Sequence, residues 1–307
     1  MKVVLFCGGL GMRMREGAGS APKPMNMIGD RPLLWHVMRY YAHFGHRDFV
    51  LCLGYGAAAV KEYFLNYDET QSNDFTLTGR DRSISMHSTD ITDWTITFLD
   101  TGLRSTIGER LMRVRPHVAD EEMFLANYAD TLTDAPLDKV IERFRRSDAT
   151  ASMLAVPPVS THHLIDIDDS DEVTGVRDVQ SLMQWENGGY FVMRQGIFDV
   201  LREGEDMVPH AFARLIADRK LLAQRHQGFW RAADTFKDRV ELEEMVTRRR
   251  APWMLWDALR SGTGGHPIVR PRVSGPRGEG AGAAGAAAEG SGAAGTAAED
   301  HGVAVAH

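Results

Sequence analysis

The stretch that most constrains this chain is its start, where five apolar residues, Val3 to Cys7 (VVLFC), run directly into a glycine-rich turn. A short run rich in β-branched residues with no alternation is the pattern of a strand buried on both faces. Gly8, Gly9 and Gly11, with Leu10 and Met12 between and after them, let backbone approach a ligand without Cβ interference, and their N–H groups form an anion-binding concavity. Arg13 follows at once. Ten residues on, Pro22-Lys23-Pro24-Met25 places a lysine between two residues of fixed φ. A strand end, a glycine turn, an arginine and a restrained lysine together predict a polyphosphate cradle. The string is neither a Walker A loop, which ends in GKS or GKT, nor the dinucleotide-binding GxGxxG.

The remainder of the chain is expected to build a parallel sheet around that strand. Pro32 to His43 has apolar residues at helical spacing and stops at Gly45, Asp48 to Leu53 is a second strand, and Ala57 to Asn66 a second helix. Strand, helix, strand, helix with short glycine turns predicts an α/β fold, a mainly parallel, Rossmann-like sheet flanked by helices, with ligands at the carboxyl ends of the strands. Tyr67 to Asp93 is polar and aperiodic, an excursion or an extra hairpin. Further strands are predicted at Trp94 to Asp100, Met123 to Asn127, Thr150 to Val156 and Tyr190 to Met193, with weaker ones at Leu164 to Ile167, Val173 to Val179 and Leu221 to Gln227. Helices are predicted near Ile107 to Val114, Pro136 to Arg146, Pro209 to Arg219 and Thr235 to Arg248. Beyond Trp256 there is no aromatic residue, and Ala, Gly, Ser and Glu recur without period. The expected organisation is one domain over 1–256 and a disordered tail over 257–307.

Composition excludes several function classes. With 35 Lys and Arg against 42 Asp and Glu, the net charge of −7 argues against nucleic acid or an anionic membrane as a general partner. Two cysteines, each inside an apolar run, supply neither a disulfide framework nor a zinc site. The first apolar run is too short for a signal-peptide core, and no run of eighteen apolar residues follows, so a cytoplasmic protein is expected.

Polyphosphate chemistry calls for a divalent ion, and Mg²⁺ takes one or two carboxylates with phosphate oxygens and water. Asp130, directly after an apolar strand, and Asp234, ahead of a helix start, are the candidates, although each also reads as an N-cap or turn aspartate.

The string GGLGMR followed by PKPM resembles the GGxGTR…PKPM signature of the sugar-phosphate nucleotidylyltransferases. From Met1 to about Trp256 the chain resembles the cytidylyltransferases of that family, through PLLWHVMRYY, DFVLCLGY, VKEYFLNY, WTITFLDTG, ERLMRV, NGGYFV, GFW…DT and the closing APW. The resemblance implies a nucleotide-diphospho-sugar transferase fold. It also implies an Mg²⁺-dependent reaction that joins an NTP, CTP favoured, to a sugar 1-phosphate such as glucose 1-phosphate, with release of pyrophosphate. A homo-oligomer is expected. At matched positions it implies that Phe6, Cys7, Gly8, Gly9, Leu10, Gly11, Met12 and Arg13 hold the nucleotide and that Lys23 contacts the phosphates. Thr106 and Arg110 fall along the base, and Asp130 and Asp234 bind the metal. Arg13 and Lys23 are the catalytic candidates; Asn187 and Gly188 belong to the acceptor site.

Several positions depart from the family pattern. Met12 replaces a threonine, Tyr128-Ala129-Asp130-Thr131 replaces YGDG, and Thr161-His162-His163-Leu164 replaces a phenylalanine-glycine turn. Asp178-Val179-Gln180 stands where the family has EKP, so the lysine for the sugar phosphate is a valine, and glucose 1-phosphate is expected to be a poorer substrate. Arg177 is a candidate replacement, at the cost of a shift in register. His162 and His163 read as loop histidines or acceptor contacts. Two alternatives therefore stand beside the enzyme reading, a nucleotide-sugar-binding or regulatory homologue with altered chemistry and a transferase for a different phosphorylated acceptor.

Overall fold

The computed structural model describes residues 1–8, 22–159, 163–179 and 184–257, together with the backbone strand Ile268–Val269. Gly9 to Arg13 and His162 lie outside the described residues. Of the stretch assigned to the tail, only Asp257 and that strand are among them.

Strand β1 (Val3–Phe6) is followed by a single 3-10 turn, Lys23–Met25, and a pair of two-residue strands, β2 (Met27–Ile28) and β3 (Arg31–Pro32). Then come α1 (Leu33–His43), β4 (Asp48–Leu53) and α2 (Ala57–Leu65). The polar excursion is a hairpin, β5 (Phe75–Thr78) and β6 (Ser83–Met86), before β7 (Thr95–Asp100) and α3 (Ile107–Val114). The middle of the chain supplies β8 (Met123–Tyr128), β9 (Thr131–Thr133), α4 (Leu137–Arg145), β10 (Ala151–Val156) and a second hairpin, β11 (His163–Ile167) with β12 (Val173–Asp178). The last third holds β13 (Glu186–Arg194), α5 (Ile197–Val200), α6 (Phe212–Ala217), β14 (Leu221–Arg225), β15 (Trp230–Ala232), α7 (Phe236–Thr247) and β16 (Ile268–Val269), which pairs with β6.

Seven strands form the central sheet in the order β14-β10-β13-β8-β1-β4-β7. Around β1 the pairing is parallel, with β4 on one side and β8 on the other. Asn187, Gly188 and Gly189 lie inside β13 rather than before it, and that strand runs antiparallel to both β8 and β10. The sheet is thus mainly parallel with one reversed strand, the expected architecture.

Both faces of β1 are covered, as its unbroken apolar run predicts. Val3, Leu5 and Cys7 face one apolar cluster with α1, the buried side of α4, and Trp253 and Trp256. Val4 and Phe6 face the other, with Leu111 and Val114 of α3, Phe198 of α5, and Phe212 and Leu215 of α6. Each fully buried aliphatic side chain of this kind is worth about 1.5–3 kcal/mol.

The segment after α7 is fastened to α1 by a ring of aromatics. His36 is buried, its Nε2–H donates to the Ile28 carbonyl at 2.9 Å, and Trp253 Nε1 donates to its Nδ1 at 3.3 Å. These two partners require the neutral imidazole with its proton on Nε2. Trp256 packs edge-on to Trp35, and Trp253 stacks on Phe229, so α1, the segment after α7 and the loop before β15 share one apolar contact.

Candidate functional site

Parallel pairing of β1 and β8 sets Phe6 beside Tyr128, so both strands end at the same edge of the sheet. Gly8 lies two residues past Phe6, and Asp130 two residues past Tyr128. The expected turn and the expected carboxylate are therefore neighbours by register.

Asp234 reaches this edge through the small hairpin of β9 and β15. Thr131 pairs with Ala232, and the Ala233 N–H donates to the Asp130 carbonyl at 2.9 Å, which places the two aspartates side by side. The N-cap reading of Asp234 does not hold. Thr235 is the cap of α7, in a reciprocal capping box with Asp238, and the Asp234 carboxylate is left half exposed and available.

Lys23 closes the group. Its Nζ donates to Asp130 Oδ2 at 2.6 Å and to Asp234 Oδ1, bridging both carboxylates. Burial disfavours the charged ammonium, but the attraction of Asp130 and the hydrogen bonds the ammonium donates to both aspartates outweigh it, and the pKa of Lys23 is raised above its ordinary value. Lys23 is placed by Pro22, which packs on Gly56; a Cβ there would stand 2.5 Å from the Pro22 ring, and Gly56 has φ +70°.

Against Gly8 lies Arg110. It is buried, donates from Nη1 to the Leu53 carbonyl at 3.2 Å and to Thr101 Oγ1 at 2.6 Å, and forms no ion pair among the described residues. Desolvation lowers its pKa accordingly. Gly8 has no side chain because the Arg110 guanidinium fills the space that a Cβ would take. A buried cation thus sits under the ends of β1, β4 and β7. Burial also pushes the neighbouring Cys7 and Cys52 thiols up, Cys52 to about 12, so both remain protonated.

Thr106 is spent on structure. Its Oγ1 accepts the Glu109 N–H at 3.2 Å and donates to the Glu205 carbonyl at 3.1 Å, while Glu109 Oε2 accepts the Thr106 N–H at 2.8 Å. Thr106→Ala is expected to cost about 1 kcal/mol of stability in urea unfolding, with Thr106→Ser close to wild type. A loss of nucleotide affinity with unchanged stability would instead show that the hydroxyl serves a ligand.

Around the acceptor candidates, Asn187 Oδ1 accepts the Gly189 N–H at 3.0 Å, and Trp230 Nε1 donates to the Gly188 carbonyl at 2.8 Å. Trp230 belongs to β15, so this bond ties the acceptor residues to the strand that delivers Asp234. Asp134 holds the same strand from behind, accepting from Phe229 N and from His226 Nε2, each at 2.8 Å. Sequence reading missed Asp134 and Trp230, since their partners lie 92 and 42 residues away. Arg177 is not brought to Asn187. It pairs with Asp166 across the β11–β12 hairpin at 2.5 Å, as the alternation of strand faces dictates.

The donor set can be tested against a divalent cation. Lys23 already places one positive charge between the two carboxylates, and no cluster of three or more His, Cys, Asp or Glu able to hold a metal occurs among the described residues. Two hard oxygen ligands, one half exposed, fit Mg²⁺ that completes its shell with phosphate and water; they do not fit a closed zinc site. Among the described residues no helix is long and apolar enough to cross a membrane.

No protein-family model matches the chain. It is 34% identical over 262 residues to a glucose-1-phosphate cytidylyltransferase of Salmonella typhi, covering 84% of this chain and all of that protein. A probable glucose-1-phosphate cytidylyltransferase of Bacillus subtilis is 35% identical over 258 residues, covering 83% of this chain and all of that protein. Among solved structures, a UTP-bound UGPase from Acinetobacter baumannii matches with TM-score 0.60 at 17% identity, over 85% of this chain and 98% of its own. A putative glucose-1-phosphate thymidylyltransferase from Bacillus anthracis matches with TM-score 0.58 at 13% identity, over 80% and 94%. At those identities the structural matches speak for the fold alone.

Proposed function

The chain belongs to the glucose-1-phosphate cytidylyltransferase family, and we propose that it joins a nucleoside triphosphate, CTP foremost, to glucose 1-phosphate or a closely related sugar 1-phosphate, releasing pyrophosphate. The observation that carries this reading is the Lys23 ammonium bridging Asp130 and Asp234 at the sheet edge beside Gly8.

In the reaction an oxygen of the sugar phosphate attacks the α-phosphorus of the nucleotide in line. One P–O bond forms as the bond to the pyrophosphate breaks, and no covalent enzyme intermediate is needed. Two anions must approach each other, so the protein's task is to place positive charge where they meet. Lys23, already charged and already restrained, does this without reorganising. Arg110 adds a fixed positive charge beside Gly8, and Arg13, five residues past Gly8 in sequence, is assigned to the departing pyrophosphate. Mg²⁺ held by Asp130 and Asp234, when bound, supplies Lewis-acid polarisation of the phosphates. Trp230 orients the Asn187-Gly188 wall of the acceptor side.

Pyrophosphate release with ATP, CTP, GTP and UTP against a panel of sugar 1-phosphates tests the proposal. The highest kcat/KM is expected with CTP and a sugar 1-phosphate, with glucose 1-phosphate used less efficiently than by a relative that keeps the lysine replaced here by Val179, and with turnover abolished by a chelator and restored by Mg²⁺. Release from no pair would refute the enzyme reading in favour of a binding or regulatory homologue, and restoration by no divalent ion would refute the metal assignment.

A further inference from the structure

A sugar 1-phosphate carries close to two negative charges at neutral pH, and bringing it to a nucleotide requires a cation of its own. The cations around the site are mostly committed. Lys23 bridges Asp130 and Asp234, Arg177 pairs with Asp166, Arg110 is buried under Gly8, and Arg231 donates to the Trp230 carbonyl.

Arg225 is different. It ends β14, is exposed, and forms no ion pair with any described carboxylate. Its guanidinium carbon lies 5.4 Å from the centre of the Trp185 ring, so the aromatic face fixes the fork without consuming its donors. Strand register sets where this fork sits. Ala155 of β10 pairs with Arg225 on one side and with Asn187 on the other, so the three residues form one row across β14, β10 and β13. Residues paired in this way share a face, and neighbouring strands lie about 4.8 Å apart. The middle position carries only the methyl of Ala155, so no long side chain of β10 stands between Arg225 and Asn187 in this row. The His226 N–H donates to the Ala155 carbonyl at 2.8 Å and fixes the end of the row.

We propose that Arg225, laid on Trp185 and one strand away from Asn187 across Ala155, binds the phosphate of the sugar 1-phosphate acceptor. The assignment rests on the transferase reading for its ligand, since it is the acceptor side of that reaction that Asn187 and Gly188 line. Arg is suited to the task because its planar fork meets phosphate oxygens in pairs, which a lysine does not.

Calorimetric titration of glucose 1-phosphate, and separately of CTP, into wild type, Arg225→Gln, Arg225→Lys and Trp185→Leu tests it, with steady-state kinetics alongside. Arg225→Gln is expected to weaken glucose 1-phosphate about tenfold to a hundredfold and to raise its KM alike, with CTP affinity within about twofold of wild type. Arg225→Lys recovers part of the loss, and Trp185→Leu loses less than Arg225→Gln because the cation remains. Unchanged glucose 1-phosphate binding in Arg225→Gln, an equal loss for CTP, or a wild type that binds no glucose 1-phosphate overturns the proposal. The two readings fail separately. Arg225-dependent binding of glucose 1-phosphate without pyrophosphate release from any pair would sink the transferase and keep the phosphate site, whereas normal turnover by Arg225→Gln would do the reverse.

Discussion

Lys23→Met is expected to lower turnover by about a hundredfold to a thousandfold, the range found when a preorganised charge-stabilising donor is removed from a site. The geometry gives the reason. Lys23 is the cation shared by Asp130 and Asp234, and without it the site loses the one ammonium that bridges these adjacent carboxylates among the described residues. Lys23→Arg should not restore the rate, because a planar fork cannot occupy the point between two carboxylates that an ammonium fills. The sign of the pKa shift adds a control. The folded-state value is raised, so the lysine's contribution is fully present below its ordinary value of 10.5 and is lost only as pH rises through the folded value. Any rise or fall in rate between pH 6 and 9 therefore belongs to other groups, and a Lys23→Met protein should keep the wild-type pH profile on a lower plateau. Near-normal turnover in Lys23→Met would remove the ammonium from the mechanism.

The second large effect is acid sensitivity of the fold. Burial lowers the pKa of His36 from 6.5 to about 4, and its Nδ1 is already accepting from Trp253, so the folded protein resists protonation there. Above pH 6.5 both folded and unfolded chains carry a neutral imidazole and His36 exacts no penalty. As pH falls from 6.5 towards 4 only the unfolded chain takes up the proton, and about 3 kcal/mol of stability drains away. His46, lowered to about 4 by burial, the chain's amino terminus and Arg47, acts in the same window. Urea unfolding at pH 7 and pH 4.5 separates the two. His36→Gln should lose about 2–3 kcal/mol less than wild type over that interval, since glutamine does not titrate. The same pH dependence in both proteins would show that His36 is not the group responsible.

These effects follow from different levels of the chain. The strand Val3 to Phe6, α1 and the alternation of strands and helices that makes a mainly parallel sheet were legible because period and turn chemistry are local: an apolar run without alternation, apolar residues at helical spacing, and glycine or proline at the joints. Lys23 was legible for the same reason, held between two prolines. Other features belong to pairing at long range. The strands β9 and β15 are three residues each and carry no period, yet their pairing sets Asp234 beside Asp130, and both on a lysine 211 residues from the first and 107 from the second. The reversal of β13 and the row of Arg225, Ala155 and Asn187 depend on which strands pair and in what register. Asp234 escaped the cap reading because Thr235 took the start of α7, while Thr106 caps α3 with Glu109. By itself the sequence determined most of the elements, since each is stabilised by residues within a few positions of one another. Only the tertiary structure decided the convergence of charges, because a hydrogen-bonding partner a hundred or more residues away is selected by the packing of the whole sheet and leaves no local period to read.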